Sequence, residues 1–193
     1  MSLNTETTPI SGCHLLELPS SEDARGTFTK FFQLSRFPSP DESGNSFRIR
    51  EGYLTTSKPG VIRGLHLQVP PSALSKIVIC LAGEVFDVVV DLRLSSETLG
   101  QHFTTRLSAS GATGMLVPPG CAHGFCVTSH TEATLLYLTT CEYAPQDDTG
   151  IRWDTAGVAW PKAGDVTISE RDAALPTLHD FMELERERGA QFS

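Results

Sequence analysis

Glu84-Val85-Phe86-Asp87-Val88-Val89-Val90-Asp91-Leu92 is the stretch that decides the fold class. Phe86, Val88, Val90 and Leu92 alternate with Asp87, Val89 and Asp91, a period of two that predicts a strand with the first set toward a core. The aspartates are read as structural hydrogen-bonding groups. Working outward, Thr27–Phe32, Phe47–Thr55, Val61–Gln68 and Ser75–Leu81 precede it, and Phe103–Leu107, Gly114–Val117, Gly124–Thr128 and Ala133–Thr140 follow. Pro59-Gly60, Pro70-Pro71, Gly83, Gly100, Gly111 and Pro118-Pro119-Gly120 punctuate them. About nine strands at roughly ten-residue spacing, with no helices between, predict an all-β sandwich or barrel. Helix enters only at Pro176–Arg188, where Leu178, Phe181, Met182 and Leu184 form one apolar side and Gly189 supplies the stop. This reads as a surface helix covering the core. With 193 residues and no repeat, linker or low-complexity tract, residues 1–193 are expected to form a single domain.

Composition narrows the function classes. Asp and Glu number 23 against 15 Lys and Arg, a net charge of −8. That disfavours a polynucleotide binder, which needs a basic footprint, and an anionic membrane surface. A small phosphorylated ligand stays open, because a pocket's charge can oppose the global sign. The longest apolar run, Ile77–Ala82, is far short of the ~20 residues of a spanning helix. The opening MSLNTETTPISG lacks the basic start and apolar stretch of a signal peptide. Cys13, Cys80, Cys121, Cys126 and Cys141 contain no Cys-x-x-Cys pair, which predicts free thiols and a cytoplasmic protein.

Two segments differ from plain structural strands: Arg63-Gly64-Leu65-His66-Leu67-Gln68, followed by Lys76, and Pro118-Pro119-Gly120-Cys121-Ala122-His123-Gly124-Phe125. Each sets a histidine among apolar neighbours beside a glycine, which permits close backbone approach. Taken singly, each histidine is equally readable as a core residue satisfied by a backbone carbonyl. Gly60-x5-His66 and Pro118-x-Gly120-x2-His123 resemble the two motifs of the cupin superfamily, which implies a small antiparallel β-barrel. Metal-binding cupins place a histidine where Gln68 stands and a glutamate where Lys76 stands. An amide is a poor ligand and an ammonium repels a cation, so no metal site is expected.

A more specific resemblance runs in order from about residue 12 to residue 178. Asp23-x-Arg25-Gly26-x-Phe28, Arg63-Gly64-Leu65-His66-x-Gln68, Lys76, Gly83-x3-Asp87-x3-Asp91-x-Arg93 and Ser96-x3-Gly100 carry it. It continues through Pro118-x-Gly120-x-Ala122-His123-Gly124-Phe125, Tyr137, Tyr143-x-Pro145, Gly150-Ile151-x-Trp153, Trp160-Pro161 and Ser169-x2-Asp172. Together these resemble the dTDP-4-dehydrorhamnose 3,5-epimerases and related sugar epimerases. The resemblance implies a cupin-type jelly-roll barrel with a short C-terminal helical segment. The implied activity inverts C3 and C5 of a nucleotide-linked 4-keto-6-deoxyhexose, dTDP being the favoured carrier, without a cofactor. A single-centre epimerase and a non-catalytic sugar-nucleotide-binding cupin are the alternatives.

Residue by residue, His66 matches the family's base, Asp172 the acid that orients it, Lys76 the stabiliser of the ketone oxygen and Tyr137 the opposite-face acid. The chemistry is sound on its own terms. Inverting a carbon beside a ketone removes a proton from one face and returns one to the other, and histidine, titrating near about 6.5, suits the first task. A paired carboxylate fixes the imidazole tautomer, and an ammonium stabilises charge developing on the oxygen. Arg25, Arg63, His123 and Arg171 match positions at or near the diphosphate, Tyr143 an aromatic stacked on the base, and Asp148 an acid near the nucleoside. Ion pairing for Arg25 or Arg171 and plain packing for Tyr143 are the bland readings. Glu51, Tyr53 and Gln68 complete the binding set.

Strict alternation would turn Arg63 away from His66 and Gln68, so a bulge or kink near Gly64 is expected. Some positions depart from the family pattern. Lys30 stands for a glutamate, Glu51 and Tyr53 for a glutamine and an asparagine, and Leu138 for a frequent lysine. Lys30 and Glu51 either pair with each other or signal an altered substrate. The resemblance also implies a homodimer with exchanged N-terminal strands.

Overall fold

The computed structural model describes residues 4–33, 48–161 and 166–189. The strands are β1 (Asn4–Thr7), β2 (His14–Glu17), β3 (Ser20–Asp23), β4 (Gly26–Thr29), β5 (Glu51–Ser57), β6 (Ile62–Gln68) and β7 (Lys76–Ala82). They continue as β8 (Glu84–Asp91), β9 (His102–Ser108), β10 (Thr113–Val117), β11 (Cys121–Val127), β12 (Ala133–Thr139) and β13 (Asp148–Gly150), before helices α1 (Glu170–Ala173) and α2 (Leu178–Arg188). A six-stranded sheet has the order β1-β2-β10-β7-β12-β5 and a five-stranded sheet the order β13-β6-β11-β8-β9; β3 and β4 form a separate hairpin. Phe47, the expected start of β5, lies outside the described residues. Among the described residues no helix is long and apolar enough to cross a membrane, and all five cysteines are free.

The alternation in β8 sorts two cores rather than a core from water. Val85 and Val89 face the six-stranded sheet and pack with Val78, Cys80, Leu135, Phe125 and Tyr137. Val88 and Val90, with Leu92, face outward into a second cluster with Leu65, Leu67, Phe181 and Met182. A sheet covered on both faces reads as nearly continuous apolar sequence, as β8 does. A third cluster, including Leu16, Ile77, Leu116 and Leu138, lies on the far side of the six-stranded sheet.

Helix α2 provides the outer cover of the five-stranded sheet. The Thr177 hydroxyl caps it by accepting from the Asp180 N–H, and Gly189 ends it in the left-handed region at φ 63°. Its buried stripe runs through Phe181, Met182 and Glu185, whereas Leu184 is 44% exposed. The apolar pattern therefore placed Leu184 one position off the seam. Glu185 takes the buried place, with Oε1 accepting from Arg188 at 3.3 Å.

Candidate active site

The site grows out of a fault in β6. His66 pairs across to His123 of β11, and Arg63 to Phe125, so three steps on β6 oppose two on β11. The slip centres on Gly64, whose φ is +120°. A Cβ on Gly64 would meet the Gly124 Cα at 2.6 Å, and one on Gly124 would meet the Arg63 carbonyl oxygen at 2.5 Å. Only glycine at both places lets β6 and β11 cross so closely. The consequence is the expected kink: Arg63 and His66 line one cavity between the sheets.

This inner cavity holds about 200 Å³ and is lined by Tyr53, Arg63, His66, Lys76, His123, Tyr137 and Arg171 among others. An adjoining outer cleft of about 350 Å³ is walled by Glu51, Gln68, Tyr143 and Asp148, and shares Tyr53, His66, Lys76 and Arg171 with the first. The inner lining contains cations and no carboxylate, so an acidic chain carries a locally basic chamber.

His66 is held from behind. Its Nε2 lies 2.8 Å from Asp172 Oδ1, while the other carboxylate oxygen accepts the Gly64 N–H at 3.0 Å. Asp172 rides on α1, which Ser169 caps by accepting the Asp172 N–H at 3.1 Å. Thus one carboxylate ties the helix, the kink and the imidazole together. Burial pushes the Asp172 carboxyl up, but the bonds from His66 and Gly64 outweigh it and hold it at about 2. In the tautomer that donates Nε2–H to this carboxylate, the ring's lone pair is on Nδ1. Lys76 donates from Nζ to the His66 carbonyl oxygen at 3.1 Å. Burial lowers its ammonium to about 8, against the pull of Asp148 and Asp87.

The opposite wall belongs to the six-stranded sheet. Tyr137 on β12 points inward, and burial, followed by the Asp87 charge, drives its phenol well above the ordinary range. Its ring meets His123 edge-on, with centroids 6.0 Å apart. His123 Nε2 in turn lies 2.8 Å from Asp87 Oδ1, and Asp87 Oδ2 has no hydrogen-bond partner. Both histidines are therefore satisfied by carboxylates, not by backbone carbonyls. Asp91 fits its structural reading, binding Arg93, Ser96 and Thr98. Asp87 also fits its structural reading, by holding His123; what the sequence did not reveal is that the histidine it holds lines the cavity wall beside Tyr137.

At the mouth, Gln68 accepts the Ala144 N–H at 2.8 Å and donates to Ser72 O at 2.9 Å. Glu51 accepts the Tyr143 N–H at 2.8 Å, and Arg171 pairs with Asp148 at 2.6 Å. Tyr143 itself is exposed. Gln68 and Glu51 thus clamp the segment that presents Tyr143. Arg25 lies apart: it pairs with Asp23 on the exposed β3–β4 hairpin and lines neither cavity. Lys30 and Glu51, both among the described residues, form no ion pair, and Glu51 accepts the Tyr143 N–H. Among the described residues no group of three or more His, Cys, Asp or Glu side chains is placed to hold a metal ion.

The model of the family described as dTDP-4-dehydrorhamnose 3,5-epimerase matches residues 7–180. The chain belongs to the dTDP-4-dehydrorhamnose 3,5-epimerase family. The Escherichia coli enzyme of that name is 36% identical over 184 residues, covering 94% of this chain and 98% of its own. A Streptomyces niveus relative named dTDP-4-dehydrorhamnose 3-epimerase is 37% identical over 152 residues, covering 78% of this chain and 72% of its own. The Legionella pneumophila epimerase, solved in complex with dTDP-4-keto-L-rhamnose, superposes with a TM-score of 0.84 at 35% identity, covering 92% and 93% of the two chains.

Within this family of cupin-like jelly-roll isomerases, the positions expected to depart from the family pattern sort by place. Leu138 follows Tyr137 on the outward phase of β12 and packs with Leu16 and Ile77, away from the cavity. Lys30 is exposed and lines neither cavity. Glu51 and Tyr53 are the two departures that stand at the site.

Proposed function

We propose that this protein inverts C3 and C5 of a dTDP-linked 4-keto-6-deoxyhexose by proton transfer across the inner cavity. The observation that carries the reading is the division of labour between two walls: His66, backed by Asp172, on one sheet and Tyr137 on the other. His66 Nδ1 takes the proton from the carbon beside the ketone. The C–H electron pair moves into the enolate, whose oxygen charge the Lys76 ammonium stabilises. The Tyr137 hydroxyl gives its proton to the opposite face of that carbon, and the enolate electrons form the new C–H bond. The imidazolium and phenolate left behind exchange protons with water, and the cycle repeats at the second carbon. Asp172 holds the tautomer and steadies the imidazolium.

Arg63 and Arg171 supply charge for the diphosphate, with His123 beside them. Tyr143, held by Glu51, offers an aromatic face to the base, with Asp148 near the nucleoside. Arg25 joins this set if the protein is a homodimer whose N-terminal hairpins are exchanged. The hairpin's exposure supports that arrangement, since Phe28 on β4 is 62% exposed. We place the enzyme in the cytoplasm, where its free thiols are stable.

Incubation with dTDP-4-keto-6-deoxyglucose in deuterium oxide tests the reading. Label at both C3 and C5 is expected. Label at one carbon would support the second reading, a single-centre enzyme, which the Streptomyces niveus 3-epimerase relative favours. Nucleotide binding without label would overturn both and leave a binding module.

A further inference from the structure

Tyr53 has no place in the proton-transfer scheme, yet the structure sets it directly against one of its two acting groups. Tyr53 and Tyr137 are register partners on β5 and β12. Their rings stack with centroids 4.8 Å apart and planes within 9° of parallel. Tyr137 is thereby boxed on two sides: Tyr53 lies flat against its face, and His123 stands edge-on at 6.0 Å. Asp87 fixes His123 in turn. Tyr53 also borders both the inner cavity and the outer cleft, so its ring stands where the two meet. Burial, with Glu51 and Asp148 close by, raises its phenol to about 12, so it remains neutral and cannot serve as a base at neutral pH.

A phenol returning a proton to a flat enolate must aim its hydroxyl at one face of one carbon. Rotation about χ1 swings the ring and carries the hydroxyl with it, and a parallel neighbour restricts that swing at little cost, because offset aromatic pairs are mutually favourable. We propose that Tyr53 is a positioning residue that locks the Tyr137 ring, and so sets how often a deprotonated carbon is reprotonated with inversion rather than returned to its starting configuration. The inference rests on the epimerase reading. It deepens that reading by assigning a role to a side chain at which this sequence departs from its family's pattern.

The consequence is a partition. Once His66 has taken the proton, the enolate has two exits: Tyr137 delivers from the opposite face and inverts the carbon, or the imidazolium, after exchange with solvent, returns a deuteron to the original face. Loosening Tyr137 slows the first exit and leaves the second intact. A purely structural Tyr53 would slow exchange and inversion together.

The test is the ratio of inverted product to total deuterium incorporated, measured by NMR for each carbon in deuterium oxide, in wild type, Tyr53→Leu and Tyr53→Phe. Tyr53 is 41% exposed on an edge strand, so neither substitution opens the core. Tyr53→Leu is expected to lower the ratio about threefold to tenfold, the population change that an aromatic pair's energy corresponds to. Tyr53→Phe, which keeps the ring, is expected to hold the wild-type ratio whatever its rate. An unchanged ratio in Tyr53→Leu overturns the proposal, as does an equal fall in Tyr53→Phe. Absence of all exchange in the wild type would instead overturn the epimerase reading itself.

Discussion

Two histidines, each paired with a carboxylate, lie side by side in the five-stranded sheet. His66–Asp172 and His123–Asp87 have the same 2.8 Å separation, and the two histidines are cross-strand partners. Their surroundings differ. The His66 side chain is 26% exposed and borders both cavities, whereas His123 is 3% exposed and borders only the inner one. Asp172 arrives from a late helix across the kink, while Asp87 sits on the strand next to its partner. In the proposed mechanism the same pair geometry serves as a base where the ring meets open space, and as a fixed wall where the ring is enclosed. The comparison teaches that access and the origin of the carboxylate, not hydrogen-bond length, separate a reacting group from a supporting one.

The largest way to break this comparison is to remove each ring. His66→Ala should lower exchange at the abstracted carbon by about 10³-fold or more, in the upper range of general-base effects, with nucleotide affinity largely kept. His123→Ala, assayed identically, should cost less in exchange and more in thermal stability, since it leaves Asp87 buried with neither oxygen hydrogen-bonded. Equal losses of exchange would erase the distinction drawn here.

Next come the carboxylates. Asp172→Asn should lower kcat about 10²-fold or more by losing the anion that steadies the imidazolium. Asp87→Asn should stay within about tenfold in kcat while shifting the urea midpoint, as expected for a buried hydrogen-bonded group worth about 1–3 kcal/mol. The wild type should also lose stability on acidification. The Asp172 carboxyl is held at about 2, below its ordinary 3.8, so its contribution is present above that ordinary value and fades as pH falls toward 2. Denaturant titrations at pH 2 to 5 on wild type and Asp172→Asn check the sign.

Lys76 gives a smaller, graded effect. Its ammonium titrates at about 8 when folded, so kcat/KM should decline as pH rises through 8, and Lys76→Arg should move that limb above pH 10. Stability should run the other way. Between about 8 and the ordinary lysine value of 10.5, the unfolded chain binds a proton that the folded chain has released, so raising the pH across that window favours folding through this group. A Lys76→Arg profile identical to wild type would assign the limb elsewhere. Least of all, Glu51→Gln keeps a weaker acceptor for the Tyr143 N–H and should raise KM about twofold to fivefold with kcat unchanged, since hydrogen bonds to charged groups are stronger than to neutral ones.

The barrel was legible because β6 to β8 and β10 to β12 are largely apolar runs punctuated by Gly and Pro. β1 and β3 were not, because their residues are exposed polar side chains whose pairing is decided by tertiary neighbours. β13 is only three residues long and follows β6 rather than its own pattern. Among the site residues, Arg63, His66, Gln68 and His123 stood out through the glycines beside them, and the kink at Gly64 followed from the alternation it breaks. Asp172 and Tyr137 were readable only through family resemblance, since nothing local links them to His66. Asp87 was read as structural and does hold His123, but its place behind the cavity was not legible, because one strand's alternation cannot say which of two buried faces holds the cavity. Arg25 was expected with the binding groups and instead pairs locally with Asp23 in the protomer.

The central claim is that the two sheets divide the proton transfer, and Tyr137→Phe in deuterium oxide tests it most directly. The account predicts that deuterium still enters beside the ketone, because His66 is untouched, while inverted product falls by at least about 10²-fold. Inversion continuing at the wild-type rate would contradict it.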